Sequence, residues 1–177
     1  MRQSEALDIL KLGHNVFLTG AAGSGKTYAL NNYIAYLHEH DVAYGVTAST
    51  GIAATHLGGV TIHSWSGIGV RDTLTDGELD GFSERSKKAT RIRDAHVLVI
   101  DEISMLHAHQ LDLVDRVCRR VRKSPLPFGG LQTVLCGDFF QLPPVTRGDA
   151  PARYCYTAEA WRRCSRSSLS RPARAAP

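Results

Sequence analysis

Apolar positions along this chain follow two patterns, short runs and stripes at helical spacing. The short runs predict four strands, which cover 15–20, 43–48, 96–101 and 131–137. The third run is apolar at consecutive positions, as expected when both faces of a strand are covered. Apolar residues that return every three or four positions predict helices over 4–12, 26–38 and 109–123, with a shorter one over 50–57. Strands that alternate with helices predict an α/β fold on a mainly parallel sheet.

Two segments lack either pattern. Residues 67–90 are rich in Gly, Asp, Ser, Thr and Lys, which predicts a mobile insertion or loop. Residues 162–177 contain Arg, Ser, Ala and Pro with almost no large apolar residue, which predicts disorder. We therefore expect one domain over residues 1–161 and a disordered tail over residues 162–177.

The positive net charge of the chain comes from its C-terminal tail. The chain of 177 residues carries a formal charge of +4, but the tail holds five arginines and no acid, so residues 1–161 carry −1. The positive charge is therefore no sign of a basic groove on the folded domain. No apolar run reaches the roughly 20 residues that span a bilayer, and no signal peptide is visible, so we expect a cytoplasmic protein without membrane contact. The four cysteines form no C-x-x-C pair and are expected to be reduced.

Residues 20–27, GAAGSGKT, match the phosphate-loop pattern G-x-x-x-x-G-K-[ST] in full. The stretch follows a predicted strand and precedes a predicted helix, so backbone N–H groups and the helix N-terminus can surround phosphate oxygens. Lys26 is expected to reach the β- and γ-phosphates, and the Thr27 hydroxyl to bind Mg²⁺. The predicted nucleotide-binding residues here are Gly20, Ala21, Ala22, Gly23, Ser24, Gly25, Lys26, Thr27 and Tyr28.

A second group needed for this chemistry follows the strand over 96–101. Asp101 ends a buried strand, where a carboxylate is costly without a cation, and is predicted to hold Mg²⁺ through water. Glu102 is predicted to polarise the attacking water. The two elements together indicate a nucleoside triphosphatase. A GTPase would normally carry an N-K-x-D motif for base recognition, and this sequence has none. A small-molecule kinase remains open on these residues alone.

Three further stretches carry a family resemblance. The first, GDFFQLPPV over 137–145, follows a strand as a γ-phosphate sensor would, and the Gln141 amide can donate to phosphate and accept from water. Together with TASTGIAATHLGGVTIHSWSGIG over 47–69 and VLVIDEISML over 97–106, it resembles the PIF-type helicases of superfamily 1. The resemblance covers residues 3–161.

The resemblance implies a RecA-like P-loop NTPase fold, a three-layer sandwich, with ATP and Mg²⁺ as cofactors and single-stranded DNA as partner. It implies movement from 5′ to 3′ on DNA and a role in genome maintenance, such as repair or recombination. It implies that Gln3 reads adenine. It implies DNA contacts from Thr50, Gly51, Thr61, His63 and Ser64. The protein would then lie at the nucleoid of a bacterium, or in the nucleus or mitochondrion of a eukaryote.

The resemblance ends after Trp161. In the family, a second lobe follows this point of the chain. It supplies an arginine that stabilises the transition state of ATP hydrolysis, and it also binds the DNA. Residues 162–177 resemble GC-rich DNA read in the wrong frame, so we expect a truncated or frameshifted gene with the first lobe only. Such a chain would bind ATP·Mg²⁺ weakly and would not unwind DNA alone, because an arginine finger contributes roughly 10³–10⁵ in rate. A stand-alone small-substrate ATPase or kinase, or a non-enzymatic nucleotide-binding remnant, are the alternatives, and the oligomeric state stays open.

Overall fold

Five strands and eight α-helices make up the part of the chain that the computed structural model describes, residues 2–81, 86–146 and 151–167. The strands are β1 (Val16–Leu18), β2 (Tyr44–Ala48), β3 (Val60–Thr61), β4 (Val97–Asp101) and β5 (Gln132–Cys136). The helices are α1 (Gln3–Lys11), α2 (Lys26–Glu39), α3 (Gly51–His56), α4 (Ile62–Ser66), α5 (Asp76–Asp80), α6 (Lys87–Asp94), α7 (Ala108–Val121) and α8 (Glu159–Ser167).

The strands form one sheet in the order β1-β5-β4-β2-β3, and every neighbouring pair is parallel. All the carboxyl ends therefore lie at one edge of the sheet, which is where ligands bind in open α/β folds. Strand β5 separates β1 from β4. The loop after β5 consequently lies between the phosphate loop, which follows β1, and the acidic pair, which follows β4.

The two faces of the sheet carry separate hydrophobic cores. On β4, Val97 and Val99 pack with α1 and α2, while Leu98 and Ile100 pack with α4 to α8 on the other face. This alternation follows from the two-residue period of a strand. The result is the predicted three-layer α/β sandwich with a parallel sheet, and the four predicted strands are confirmed. The two-residue strand β3 was not predicted from the sequence.

The prediction of a mobile loop over 67–90 is wrong where two helices lie in that segment, over 76–80 and from 87 onward. Helix α5 and the first half of α6 lie there, and they bury Leu79 and Ala89. Both helices begin at a hydroxyl cap, since Thr75 accepts from the N–H of Glu78 and Ser86 accepts from the N–H of Ala89. Polar residues that were taken for a loop are therefore helix caps. Residues 82–85 of the predicted loop lie outside the described residues.

The prediction of disorder from residue 162 onward is also wrong for its first part. Helix α8 runs through Ser167 and buries Cys164 on the core formed with α7. The N–H of Ala160 donates to Asp112 of α7 at 2.8 Å, and Trp161 contacts the Phe17 ring edge-on at 5.0 Å between centroids. These contacts order the helix despite its many arginines. Residues 168–177 lie outside the described residues, and the division into a domain and a tail stays a prediction.

Two further expectations concern the cysteines and the membrane. All four cysteines are free and buried, and their burial was not predicted from the sequence. Of the helices in the described ranges, none has the length and apolar character needed to cross a lipid bilayer.

Candidate nucleotide and DNA site

The phosphate loop connects β1 to α2 and depends on two glycines in the left-handed region. Gly23 has φ of 73° and Gly25 has φ of 86°, a conformation that other residues rarely adopt. Gly25 is the N-cap of α2, so the free N–H groups of the first helical turn face the loop. Lys26 Nζ donates to the carbonyl oxygens of Gly20 at 2.6 Å and Ala21 at 3.1 Å. The ammonium group thus lies in the curve of the loop, where phosphate oxygens would be bound.

Gln3 lies against the same loop. A Cβ built on Gly25 would come within 1.9 Å of Gln3 Nε2, so the glycine is also needed for this close approach. The first residue of α1 is therefore brought beside the N-terminus of α2. This position agrees with a nucleotide-binding role, and adenine recognition by Gln3 stays a prediction.

The other predicted residues of this loop are open to solvent. Ala21, Ala22, Gly23 and Ser24 are exposed, and so are Thr27 and Tyr28 in the first turn of α2. The backbone N–H groups and the Thr27 hydroxyl are consequently accessible to a ligand.

The acidic pair lies at the carboxyl end of β4. Asp101 is only 8% exposed, and its Oδ1 accepts from the N–H of Glu102 at 2.9 Å. Glu102 has φ of 51°, which turns its side chain out of the strand direction. Burial raises the pKa of Glu102, the negative charge of Asp101 raises this pKa further, and Lys26 opposes the shift. A carboxyl group whose pKa moves toward neutral is better suited to general-base chemistry.

The carboxylate of Asp101 also contacts the thiol of Cys136, which ends β5. Burial and the Asp101 carboxylate together raise the pKa of this thiol far above its usual range. Cys136 is therefore a neutral group beside the acid, and it is buried in the core that β5 shares with α1 and α2.

Asp138, which sequence reasoning missed, connects the predicted sensor to this site. It is 8% exposed, and its carboxylate accepts from the N–H of Phe140 and from Gln141 Nε2, both at 3.0 Å. These hydrogen bonds lower the pKa of Asp138, with a smaller contribution from Lys26. The Gln141 amide is thereby oriented by an ionised acid. The signal in the sequence was an acid close to the end of a buried strand, since Asp138 follows the last residue of β5 by two positions.

The loops after β1, β4 and β5 bring Lys26, Asp101, Glu102 and Asp138 together. Asp101 and Thr27 fit a magnesium site of the usual kind, because Mg²⁺ keeps several waters and takes phosphate oxygens besides one or two protein ligands. Within the described residues, no group of three or more His, Cys, Asp or Glu side chains forms a metal cluster. Such a cluster is not required for nucleotide-bound Mg²⁺.

A second candidate region is a groove of about 980 Å³ between α4 and the N-terminus of α7, called here the α4–α7 groove. Three predicted DNA contacts line it together with four Lys, Arg or His residues that were not predicted as DNA contacts. These seven residues are Thr61, His63, Ser64, Lys88, His107, His109 and Arg153. Burial lowers the pKa of His63, so this ring favours its neutral form. The basic residues were missed because they come from segments far apart in sequence.

The remaining two predicted DNA contacts lie outside this groove. Thr50 caps α3 by accepting from the N–H of Ala53 at 3.3 Å, and Gly51 is the exposed first residue of that helix. Both follow β2 at the same sheet edge as β3, since Ala48 pairs with Thr61. Trp65, by contrast, is a core residue that packs against Gly45 and is only 4% exposed.

Residues 3–176 match the family described as PIF1-like helicase. An ATP-dependent DNA helicase Pif1 from Psychrobacter is 56% identical over 163 residues, which cover 91% of this chain and 25% of that protein. The chain thus spans about a quarter of the length of this curated relative.

Solved structures are similar as well. The crystal structure of Pif1 helicase from Candida albicans has a TM-score of 0.84 and 36% identity, covering 92% of this chain and 37% of that one. The Bacteroides Pif1 helicase in complex with ADP-AlF3 and single-stranded DNA has a TM-score of 0.76 and 35% identity, covering 91% of this chain and 39% of that one.

Proposed function

The chain belongs to the PIF1-like helicase family, and on that premise we propose that it is the ATP-binding lobe of a DNA helicase that moves 5′ to 3′ on single-stranded DNA. The observation that carries this proposal is the meeting of Lys26, Glu102 and Asp138 at the carboxyl edge of the sheet. The pKa values of Glu102 and Asp138 both respond to Lys26, so the three side chains share one site. Nucleotide binding by a relative, the Bacteroides Pif1 helicase in complex with ADP-AlF3, supports the proposal.

The residues have distinct roles in this proposal. The phosphate loop, residues 20–27, binds the triphosphate through backbone N–H groups, and Lys26 exchanges its carbonyl contacts for the β- and γ-phosphates. Thr27 and Asp101 hold Mg²⁺, which neutralises charge on the phosphates when it is bound. Gln3 lies beside Gly25 and contacts the base.

Hydrolysis depends on the other two loops. Glu102 accepts a proton from the attacking water, for which its raised pKa suits it. Gln141 senses the γ-phosphate, and Asp138 holds the amide in position through the 3.0 Å hydrogen bond. Since Asp138 occupies one amide N–H, the second N–H and the carbonyl oxygen are left for phosphate and water.

Single-stranded DNA is the proposed partner, bound along the α4–α7 groove by Thr61, His63 and Ser64, with Thr50 and Gly51 at the neighbouring strand end. Hydroxyl and backbone N–H groups suit phosphate contacts, and an imidazole can stack on a base. In this proposal the lobe supplies nucleotide and DNA contacts, and unwinding requires a second lobe.

Steady-state ATP hydrolysis with and without a single-stranded oligonucleotide tests the proposal. We expect the oligonucleotide to stimulate hydrolysis in the wild type, and the Lys26→Ala variant to lose it. Lys11→Ala is the matched control, because Lys11 lies over the Tyr36 ring at 4.6 Å, at the opposite end of α1 from Gln3. An ATP hydrolysis rate that is the same with and without DNA would favour a stand-alone ATPase. A rate unchanged by Lys26→Ala would mean that the phosphate loop does not bind the nucleotide.

A further inference from the structure

The segment after α4 is fastened along α7 by three acid–base pairs. Asp72 accepts from His109 Nε2 at 3.2 Å, Asp76 accepts from Arg116 at 3.1 Å, and Asp80 accepts from Arg120. We call residues 71–80 the acidic strap. The three aspartates are four residues apart, so they meet one side of α7 in succession.

The strap is also held by apolar packing. Leu74 and Leu79 are buried in the core, and the Leu74 carbonyl accepts from Arg116 at 3.2 Å. The strap therefore does not depend on any one of its ion pairs, which are exposed and individually weak.

The first pair differs from the other two in its location. Asp72 and His109 both line the α4–α7 groove, together with Thr61, His63 and Ser64. Asp76 and Asp80 instead line a separate cleft of about 700 Å³ near the C-terminus of α7. Removing the charge of Asp72 therefore changes the net charge of the α4–α7 groove, whereas removing the charge of Asp76 does not.

Asp72 stands among groups of opposite or neutral charge. In the described ranges it is the one acid among the residues that line this groove, which also holds Lys88, His107 and Arg153. Its negative charge also reaches His63, where it partly opposes the lowering of the pKa by burial. The Asp72 side chain is 73% exposed, so nothing rigid keeps its carboxylate beside His109.

We propose that Asp72 competes with DNA phosphate for the α4–α7 groove and weakens the binding of single-stranded DNA there. The inference rests on the proposed function, because it assumes that a strand lies in this groove. A carboxylate and a phosphate both accept from an imidazole N–H, so both cannot occupy His109 Nε2 at once. Their like charges also repel each other. Entry of the strand displaces Asp72 from His109, while Leu74 and Leu79 keep the strap on α7.

Binding of a fluorescently labelled thymidine oligonucleotide, measured by anisotropy at one fixed salt concentration, tests this inference. The variants are Asp72→Asn and the matched control Asp76→Asn, each of which keeps an oxygen acceptor and loses one charge of the strap. We expect Asp72→Asn to bind roughly fivefold more tightly, since one charge at about 4 Å in water corresponds to about that factor. Asp76→Asn should bind within about twofold of the wild type.

Each other result has a separate meaning. Equal affinities of the two variants would overturn the inference and leave the proposed function standing, because both pairs would then serve the strap alone. Weaker binding by Asp72→Asn would overturn it too, since Asp72 would then position His109 for DNA. If the wild type and both variants fail to bind, the DNA part of the proposed function fails together with the inference. Thermal unfolding is the control for stability. If both variants unfold with the same midpoint temperature, any difference in DNA affinity arises in the groove.

Discussion

The carboxyl edge of the sheet and the outer face of α7 use the same charged residue types in opposite arrangements. At the edge, Asp101, Glu102 and Asp138 gather around one lysine, and the pKa of Glu102 rises. Along α7, acids stand opposite arginines, as in Asp76 with Arg116 and Asp80 with Arg120. Like charges held together reduce stability unless a ligand compensates them, while pairs do not need one. The first arrangement is typical of a binding site and the second of a structural surface.

Left-handed backbone conformations occur in both kinds of region, so backbone strain does not distinguish a binding site from a structural surface here. Glu102 has φ of 51° at the candidate site, but Phe128 has φ of 48° in the turn before β5, where no ligand is proposed. The N–H of Phe128 donates to the buried carboxylate of Asp115 at 2.6 Å, which holds that turn. Charge arrangement is therefore the more informative difference between the two regions.

The largest expected effect comes from Glu102→Gln, which removes one member of the like-charge cluster. Loss of the general base should reduce hydrolysis by about 10²–10⁴-fold. The free energy of unfolding, by contrast, should increase in this variant. Because the folded pKa is raised, the contribution of Glu102 to stability is present at low pH and is lost as pH rises through that raised value. The variant should therefore be slightly more stable than the wild type at neutral pH, by less than about 1 kcal/mol for a partly exposed group.

Urea denaturation in EDTA at several pH values checks the stability part, and Glu78→Gln is its control. Hydrogen bonds from Thr75 lower the pKa of Glu78, so its contribution is present at neutral pH and is lost as pH falls. The two variants should change stability in opposite directions. A loss of stability in Glu102→Gln at neutral pH would contradict the contrast between the regions.

A smaller effect is expected on the structural side, from Arg122→Lys. The Arg122 guanidinium donates to the carbonyl oxygens of Ile92, Arg93, Ala95 and Gly129 and so joins the end of α6 to the turn before β5. Lysine cannot reach all four, and the variant should lose about 2–3 kcal/mol of unfolding free energy. Nucleotide affinity should not change.

The denaturation midpoint measures this loss. Arg120→Lys is the matched control, because Arg120 contacts the exposed Asp80 and should cost less than about 1 kcal/mol. Equal midpoints for the two variants would show that the Arg122 contacts add no more than a surface pair does.

The sequence predicted well those parts of the molecule whose signal is local. The apolar runs located β1, β2, β4 and β5, and the phosphate loop and Asp101 followed from their positions after strands. Helices α5 and α6 were missed because Thr75 and Ser86 look like loop residues until their hydroxyl groups are seen to cap a helix. Short segments of this kind are stabilised by packing on α7, which no local pattern reveals.

The site could be predicted in the same uneven way. Lys26, Asp101 and Glu102 carry their chemistry in a motif, whereas Asp138 acts through a hydrogen bond to Gln141 that only the turn after β5 creates. The α4–α7 groove depends on Lys88 and Arg153, which are 65 residues apart in sequence and meet only in the fold.

The most direct test of the central claim is a calorimetric titration of ATP with Mg²⁺ into the wild type, Lys26→Ala and Glu102→Gln. If the carboxyl edge is the nucleotide site, Lys26→Ala should weaken binding by about tenfold or more, because it removes the one cation in the cluster. Glu102→Gln should bind ATP at least as tightly as the wild type, because it removes one negative charge from the cluster proposed to bind the triphosphate. The predicted result is weaker ATP binding by Lys26→Ala together with equal or tighter binding by Glu102→Gln. Unchanged affinity in both would contradict the account and place the nucleotide elsewhere.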